Sequence, residues 1–427
     1  MTSAPFPATD PSRRALLRAG AGLALAPTLA ATAAAAAGAP DGSADGLASA
    51  VRGAAPISGD ERRVRIEKAQ QMMQAQGVGA LLVEAGTTLD YFTGVRWWRS
   101  ERTTAALIPA RGEVLIVTPA FEEPSVRETL SVPGEVRVWN EHESPFQRLA
   151  QGLTDRGVQG PVAVEATTRY FIVDGLARAS GHAVVAGDPI VRACRLIKSP
   201  AELALLSLAN RVTLEAIRRT RAEVRTGMTQ HDIAALIDRF TGALGGQSDG
   251  ALVLLNEASA YPHGSIQPQT VAEGSVVLID CGCRVQGYVS DISRTFIHGT
   301  PTARQRQVWD TVRKGQDVAL AAAKLGEPVG RIDDAVRAFY EKSGWGPGYR
   351  LPGLPHRTGH GIGLDGHESP YLVHGDETPL APGMCFSDEP GLYIPGAFGI
   401  RLEDCWRMTE HGPETFTPLA RSIDDPV

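Results

Sequence analysis

VVLIDCGCRVQGYVSDISRTF, residues 276–296, reads as a β-hairpin written around two aspartates. The apolar run Val276 to Ile279, a turn-prone centre at Val285, Gln286 and Gly287, and an alternating run from Tyr288 give the pattern strand, turn, strand. A turn centred between Val285 and Gln286 sets Asp280 opposite Asp291, on one face of the hairpin. Two carboxylates that close repel each other unless a cation or a proton lies between them. Taken alone, an aspartate pair is more often an exposed feature of a hairpin.

The pattern recurs near the C-terminus. In SDEPGLYIPGAFGIRLEDC, residues 387–405, Glu389 and Glu403 flank a Pro/Gly-rich centre around Gly396, so a second hairpin brings two more carboxylates together. Between the hairpins, HRTGHGIGLDGHESP, residues 356–370, carries His356, His360 and His367. Glycine on both sides of His360 suits close approach of backbone to a site. Asp280, Asp291, His360, Glu389 and Glu403 thus form a set of hard oxygen donors plus one imidazole, spaced as in a two-metal hydrolase.

At these residues the chain resembles the methionine aminopeptidase, Xaa-Pro peptidase and creatinase family, whose catalytic domain has the "pita-bread" fold. The motifs that carry the resemblance are IDCG with SDISRTF eleven residues later, PHG at 262–264, GHGIGLDGHESP, PGMCFSDEPGLY and GIRLED. They stand in the family's order and run from about residue 193 to the end. The resemblance implies that Asp280 chelates a first metal, that Asp291 and Glu403 bridge two ions, and that His360 and Glu389 complete the second. Donors of this kind suit Mn²⁺, the favoured ion, and accept Co²⁺, Zn²⁺ or Fe²⁺. Water between two such ions has its pKa lowered towards roughly 7. By the same resemblance Glu389 shuttles the proton, and His263 and His367 contact the scissile peptide and stabilise the tetrahedral intermediate. His356 matches a histidine of the substrate pocket; for all three histidines the alternative is to orient neighbouring ligands without touching substrate.

Within the family the Xaa-Pro branch fits best, because a large N-terminal domain precedes the motifs. Proline has no amide N–H and a fixed φ, so a dedicated pocket is required. The expected substrates are proline-containing dipeptides or short peptides. A dipeptidase must also read a free carboxylate, and Arg401 is a candidate for that; orienting a bridging carboxylate is its alternative role. Only thirteen residues separate Glu389 from Glu403, so the insertion of longer prolidases is absent and the compact arrangement favours an Xaa-Pro dipeptidase over an aminopeptidase. The segment YFTGVRWWRSER, residues 91–102, is aromatic and basic. The family forms homodimers in which a neighbouring subunit helps wall the site, so Trp98 is a candidate substrate contact, against an aromatic patch of purely structural use. The competing functions are a metal-dependent relative acting on a small non-peptide substrate, a metal-free creatinase-like hydrolase, and a non-catalytic binding protein of the same fold.

The N-terminus suggests where the enzyme works. SRRALLRAG, with Arg13 and Arg14, precedes an Ala/Leu-rich run from Ala19 to Ala39 without charge, the pattern of a twin-arginine signal read by that export machinery. The expectation is a periplasmic or extracellular protein. Residues 1–40 carry three arginines and one aspartate, so their removal takes the formal charge from −6 to −8, and nothing suggests nucleic-acid binding. An odd count of five cysteines, Cys194, Cys281, Cys283, Cys385 and Cys405, argues against a disulfide framework, and the Cys281/Cys283 pair lacks zinc-site spacing.

The domain plan follows the punctuation: a signal over 1–40, a Gly/Ala/Ser-rich linker or arm over 41–59, an α/β domain of creatinase type over 60–192, and the catalytic domain over 193–427. In the α/β domain an amphipathic helix from Asp60 to Gly77, with Val64, Ile66, Met72 and Met73 apolar, leads into strands ALLVEAG, AALIPA and EVLIVTP. In KSPAELALL, Ser199, Pro200 and Glu202 make a capping box that opens a long helix to about Val224. The fold class is therefore α/β (α+β), with hydrophobic content of 43%, ample for two cores.

Overall fold

In the computed structural model, which describes residues 44–427, two complementary apolar faces hold the first sheet. Its strands are β1 (Ala80–Glu84), β2 (Ala105–Pro109), β3 (Val114–Pro119), β4 (Gly134–Trp139), β5 (Val162–Val164) and β6 (Val184–Ala186), in the order β4-β3-β2-β1-β5-β6. β1, β2 and β3 are buried at every position, the continuous apolar reading of strands covered on both faces. Alternation then sorts the residues. Leu81, Val83, Ala106, Ile108 and Ile116 pack with Ile66, Ala69 and Met73 of the helix Gly59–Gln76. Ala80, Leu82, Ala105, Leu107 and Leu115 pack with Leu149, Leu153, Ile172 and Leu176 of the helices Pro145–Asp155 and Tyr170–Ser180.

The catalytic lobe runs twice through the same sequence of elements, two helices and then antiparallel strands. The helices Pro200–Glu223 and Gln230–Ala243 precede β7 (Gln247–Leu255), β8 (Ser275–Val285), β9 (Tyr288–Val289) and β10 (Ile292–His298). The helices Ala303–Ala322 and Gly330–Lys342 precede β11 (Gly359–Gly361), β12 (Glu368–Leu372), β13 (Cys385–Asp388), β14 (Gly391–Ile394), β15 (Phe398–Arg401), β16 (Asp404–Thr409) and β17 (Gly412–Thr415). The first sheet has the order β10-β8-β7 with β9 on β8, the second β12-β11-β13-β16-β17, and β14 and β15 make a two-stranded sheet. Behind the site Arg294 of β10 and Asp404 of β16 form a fully buried ion pair at 2.6 Å, and Arg294 also donates to the carbonyl of Glu403 at 2.8 Å. One guanidinium therefore ties the two halves together.

The lobes share a core and a polar hub. Leu205, Val285, Tyr288 and Ile362 of the catalytic lobe belong to the same apolar cluster as Leu81 and Met73. Arg65 reaches across to the Tyr288 hydroxyl at 3.2 Å, and Tyr288 donates to Glu202 at 2.8 Å. Ser199 and Glu202 make both bonds of the capping box that the sequence predicts.

Two expectations need correction. Residues 44–52, placed in a linker by their small side chains, form the helix Ala44–Arg52, which buries Leu47, Ala48 and Val51 against the helix Pro200–Glu223; an apolar stripe at helical spacing outweighs the low complexity. Val64, expected on the buried face of its helix, is exposed, and that face carries Arg62 and Arg65 because Asp90 and Glu61 offer them ion pairs. The signal over 1–40 lies outside the described residues, and none of the described helices is long and apolar enough to cross a membrane.

Candidate metal centre

The first hairpin turns at Gln286 and Gly287, both at positive φ (51° and 91°), a two-residue turn whose twist matches the flanking strands. Arg284 faces Val289, and further along Cys281 faces Ile292 and Asp280 faces Ser293. The register thus differs by two residues from the expected one: Asp280 opposes Ser293 rather than Asp291. A shift of two preserves the face, so the aspartates stay on one surface as diagonal neighbours.

The second hairpin keeps its expected register. Gly391 pairs with Arg401 in the β14–β15 ladder and Asp388 with Asp404 in the β13–β16 ladder, so Glu389 and Glu403 sit opposite each other where one ladder gives way to the next. Gly396, at φ 75°, makes the turn. His360 lies at a bulge of β11, where pairing with β12 slips between His360 and Gly361. Bulges re-aim side chains, and this imidazole points inward, about fully buried. Its Nδ1 donates to the Gly361 carbonyl at 3.1 Å, which leaves Nε2 free of a proton and turned to Glu389 (3.4 Å) and Asp291 (3.8 Å). Burial first, and then the neighbouring His367 ring, push the His360 pKa down to about 3, so the imidazole is neutral and able to ligate.

Three overlapping triads converge here, Asp280/Asp291/Glu403, His360/Glu389/Glu403 and Asp291/His360/His367, each with donor atoms within 4.8 Å of one another. Burial, then the charges of Asp280 and Glu389, hold the Asp291 carboxyl well above the usual range. Burial, then Asp291 and Glu389, do the same to Glu403, and burial with the charge of Asp280 pushes Glu389 up to about 7 against the opposing pull of Arg401. Carboxylates packed so closely ionise together only beside cations. The donor set, four carboxylates and a neutral imidazole, fits two divalent ions.

Arg401 is committed to this cluster. It pairs with Asp280, and donates through Nε to Ser293 Oγ (2.9 Å) and through Nη1 to the Pro262 carbonyl (3.2 Å) and Tyr393 Oη (3.3 Å). Ser293 lies between Asp280 (2.9 Å) and Glu403 (2.8 Å). His356 is also engaged at both nitrogens: Nδ1 donates to the Arg357 carbonyl (2.8 Å) and Nε2 accepts from Tyr393 (2.9 Å), while burial pushes its pKa down to about 3. His263 and His367, by contrast, are exposed and make no hydrogen bond among the described residues. His367 stacks on His360 with ring centroids 3.9 Å apart. Trp98 is not brought to the cluster of its own chain; it is 70% exposed and stacked on Trp97.

Ser293, Tyr393 and Arg294 escape the sequence reading. Parity was the available signal for the serine, which is two residues past Asp291 and so on the same face. The five cysteines are free and buried, and four of them back the cluster's strands as small apolar groups.

The fold and the cluster define a two-lobed metallohydrolase. The chain belongs to metallopeptidase family M24: the model of that family matches residues 204–410, and the Creatinase/Prolidase N-terminal domain matches residues 65–197. It is a metallopeptidase by that membership. It is similar to the Xaa-Pro dipeptidase of Lactobacillus helveticus, at 32% identity over 369 residues, 84% of this chain and 98% of that one. Among solved structures, dipeptidase PepE from Mycobacterium ulcerans matches with a TM-score of 0.77 at 30% identity, over 85% of this chain and 97% of that one. The X-Pro aminopeptidase from Thermotoga maritima matches with a TM-score of 0.74 at 28% identity, over 84% and 98%.

Proposed function

We propose that this metallopeptidase is an exported, dinuclear enzyme that hydrolyses the Xaa-Pro bond of dipeptides, with Mn²⁺ as the favoured ion. The observation that carries the reading is the convergence of Asp280, Asp291, His360, Glu389 and Glu403 from two hairpins and one bulged strand. The similarity to Xaa-Pro dipeptidases over nearly their whole length supports the substrate class. The direct connection of Glu389 to Glu403 through a short hairpin supports the dipeptidase over the aminopeptidase.

Two divalent ions held by these residues would supply Lewis acidity to the peptide carbonyl and to the attacking water. Glu389 accepts the proton of that water and delivers it to the prolyl nitrogen as the C–N bond breaks, releasing an amino acid and proline. A proline nitrogen carries no hydrogen in the peptide, so this proton makes it a leaving group. His263 and His367, whose ring nitrogens make no hydrogen bond among the described residues, donate to the oxygen that gains charge. Arg401 and Ser293 hold Asp280 and Glu403 in place, so Arg401 positions a ligand instead of reading the substrate's carboxylate. His356 orients Tyr393, and the two rings make the wall for proline.

The experiment is turnover of Ala-Pro against Ala-Pro-Pro by Mn²⁺-loaded protein. Faster cleavage of the dipeptide supports the reading, and preference for the tripeptide would make the chain an aminopeptidase. Export is tested separately by lysines at Arg13 and Arg14, which are expected to keep the protein in the cytoplasm; secretion of that variant would refute a twin-arginine route. The exposed Trp98, stacked on the part-buried Trp97, supports a homodimer in which this element faces the other subunit. A monomer in sedimentation, with unchanged KM after Trp98→Ala, would remove that part.

A further inference from the structure

The metal cluster has two flanks with different chemistry. One is closed by Arg401, Tyr393, His356 and the Pro262 carbonyl, all linked by hydrogen bonds. The other opens on a cavity of about 440 Å³ whose lining includes Asp249, Gly250, Gly282, Gly366 and His367 beside Asp280 and Asp291. Among the described residues that lining has no lysine or arginine.

Asp249 reaches this cavity because β7 is irregular there. The β7–β8 register slips between Ser248 and Ala251, leaving Asp249 and Gly250 as a bulge. Gly250 has φ 91°, a conformation that L side chains rarely adopt. A Cβ at Gly250 or at Gly366 would meet no atom within 4 Å, so the fold leaves this space unfilled. Arg284 then fixes the carboxylate in a two-pronged pair, Nε to Oδ1 at 2.9 Å and Nη2 to Oδ2 at 2.8 Å, while its Nη1 donates to the Leu364 carbonyl at 3.0 Å. The guanidinium is used up on the far side, whereas each Asp249 oxygen keeps a lone pair for another donor. Arg357, which stacks on Tyr371, is absent from that lining, as are Arg99 and Arg195, which line the adjoining cavity beyond Gly366 and His367.

We infer that this flank receives the side chain of the residue before proline and that Asp249 selects an ammonium or guanidinium group at its end. The inference rests on the Xaa-Pro reading above and adds the N-terminal preference: lysyl- and arginyl-proline over neutral residues of the same length. With the proline wall on the His356 flank, the residue on the other side of the scissile bond falls towards Asp249. The cavity offers it small walls at Gly250, Gly282 and Gly366 and one rigid anion.

The test compares kcat/KM for Lys-Pro, norleucyl-Pro and Ala-Pro. All three carry the same α-ammonium, so a preference between the first two reports the side chain alone. The wild type is expected to favour Lys-Pro over norleucyl-Pro by about fivefold, the order of one partly solvated ion pair, and the ratio should fall as salt rises to about 0.5 M. Asp249→Asn should bring the ratio close to one. A wild-type ratio near one, a ratio insensitive to salt, or a ratio unchanged in Asp249→Asn overturns the inference, and the wild-type measurements decide it even where the variant does not fold. Cleavage of all three dipeptides at equal efficiency leaves the Xaa-Pro reading standing and removes only this one; cleavage of none removes both.

Discussion

Arg401 shows how little freedom the residues around the cluster have. Its guanidinium spans Asp280, Ser293, Tyr393 and the Pro262 carbonyl, so a single side chain joins a metal-ligand candidate, the tyrosine proposed to wall proline and the loop that carries His263. Ser293 is the small counterpart, one hydroxyl between two carboxylates from different hairpins. Groups that orient ligands in this way typically contribute 10–100-fold to metal affinity. Ser293→Ala is therefore expected to weaken Mn²⁺ binding by about 10-fold or more with the fold intact, read by calorimetric titration; unchanged affinity would assign the serine to packing. At this scale the four carboxylate candidates are legible in the sequence because acidic residues inside hairpin strands demand a reason, and His360 because glycines flank it between the two hairpins. Ser293 and Arg294 are not, because their use depends on Glu403 and Asp404, each 110 residues away, and Tyr393 is not, because nothing local shows that His356 and Arg401 converge on its hydroxyl.

At the scale of elements, the two hairpins explain why the carboxylates meet. The second was readable to the residue, since Gly396 marks its centre and the ladder is regular on both sides. The first is centred one position later than composition suggests, which moves the register by two: Val285, Gln286 and Gly287 are all compatible with a turn, and the positive φ at Gln286 and Gly287 fixes the centre. The error cost nothing in face assignment because the strand period is two. Gly282 is the critical backbone position of this hairpin. A Cβ there would lie 2.1 Å from the Ser290 carbonyl oxygen, so Gly282→Ala must separate the strands next to Asp291. A loss of about 1–3 kcal/mol in denaturant unfolding is expected, together with lower turnover; wild-type stability in that variant would show that the ladder tolerates the shift. In the first lobe the helix Gly59–Gln76 and the strands β1, β2 and β3 are legible from apolar runs; β4 is only part-buried and β5 and β6 are three residues long, too little pattern to read. The helix Ala44–Arg52 was not legible, because alanine and glycine carry little periodic signal until the surface they pack on is known.

At the scale of the molecule, the shared apolar core and the Arg65–Tyr288–Glu202 hub hold the first lobe on the catalytic lobe, and a cluster that binds cations as proposed would couple folding to that binding. Glu389, pushed up to about 7 by burial and by Asp280, retains a proton in the ion-free fold that it gives up when unfolded. An acid raised on folding stabilises most below its unfolded pKa, and that contribution disappears as pH rises through about 7. His356 and His360, pushed down to about 3 by burial, act in the opposite sense, losing stability as pH falls below about 6.5. Comparing melting with and without Mn²⁺ at each pH isolates the carboxylates. Cation binding needs their ionised form, so the rise in Tm on adding Mn²⁺ should grow from about pH 5.5 to about pH 8. A rise independent of pH would contradict a cluster of mutually raised acids.

The most direct test of the two-ion account is a titration of metal-stripped protein with Mn²⁺, following Ala-Pro hydrolysis and bound ion per chain together. The account predicts activity that saturates at about two ions per chain and is lost in Asp291→Ala, which removes the carboxylate shared between both sites. Full activity with one ion, undiminished turnover in Asp291→Ala, or no hydrolysis of Ala-Pro or Ala-Pro-Pro at any Mn²⁺ level would contradict it.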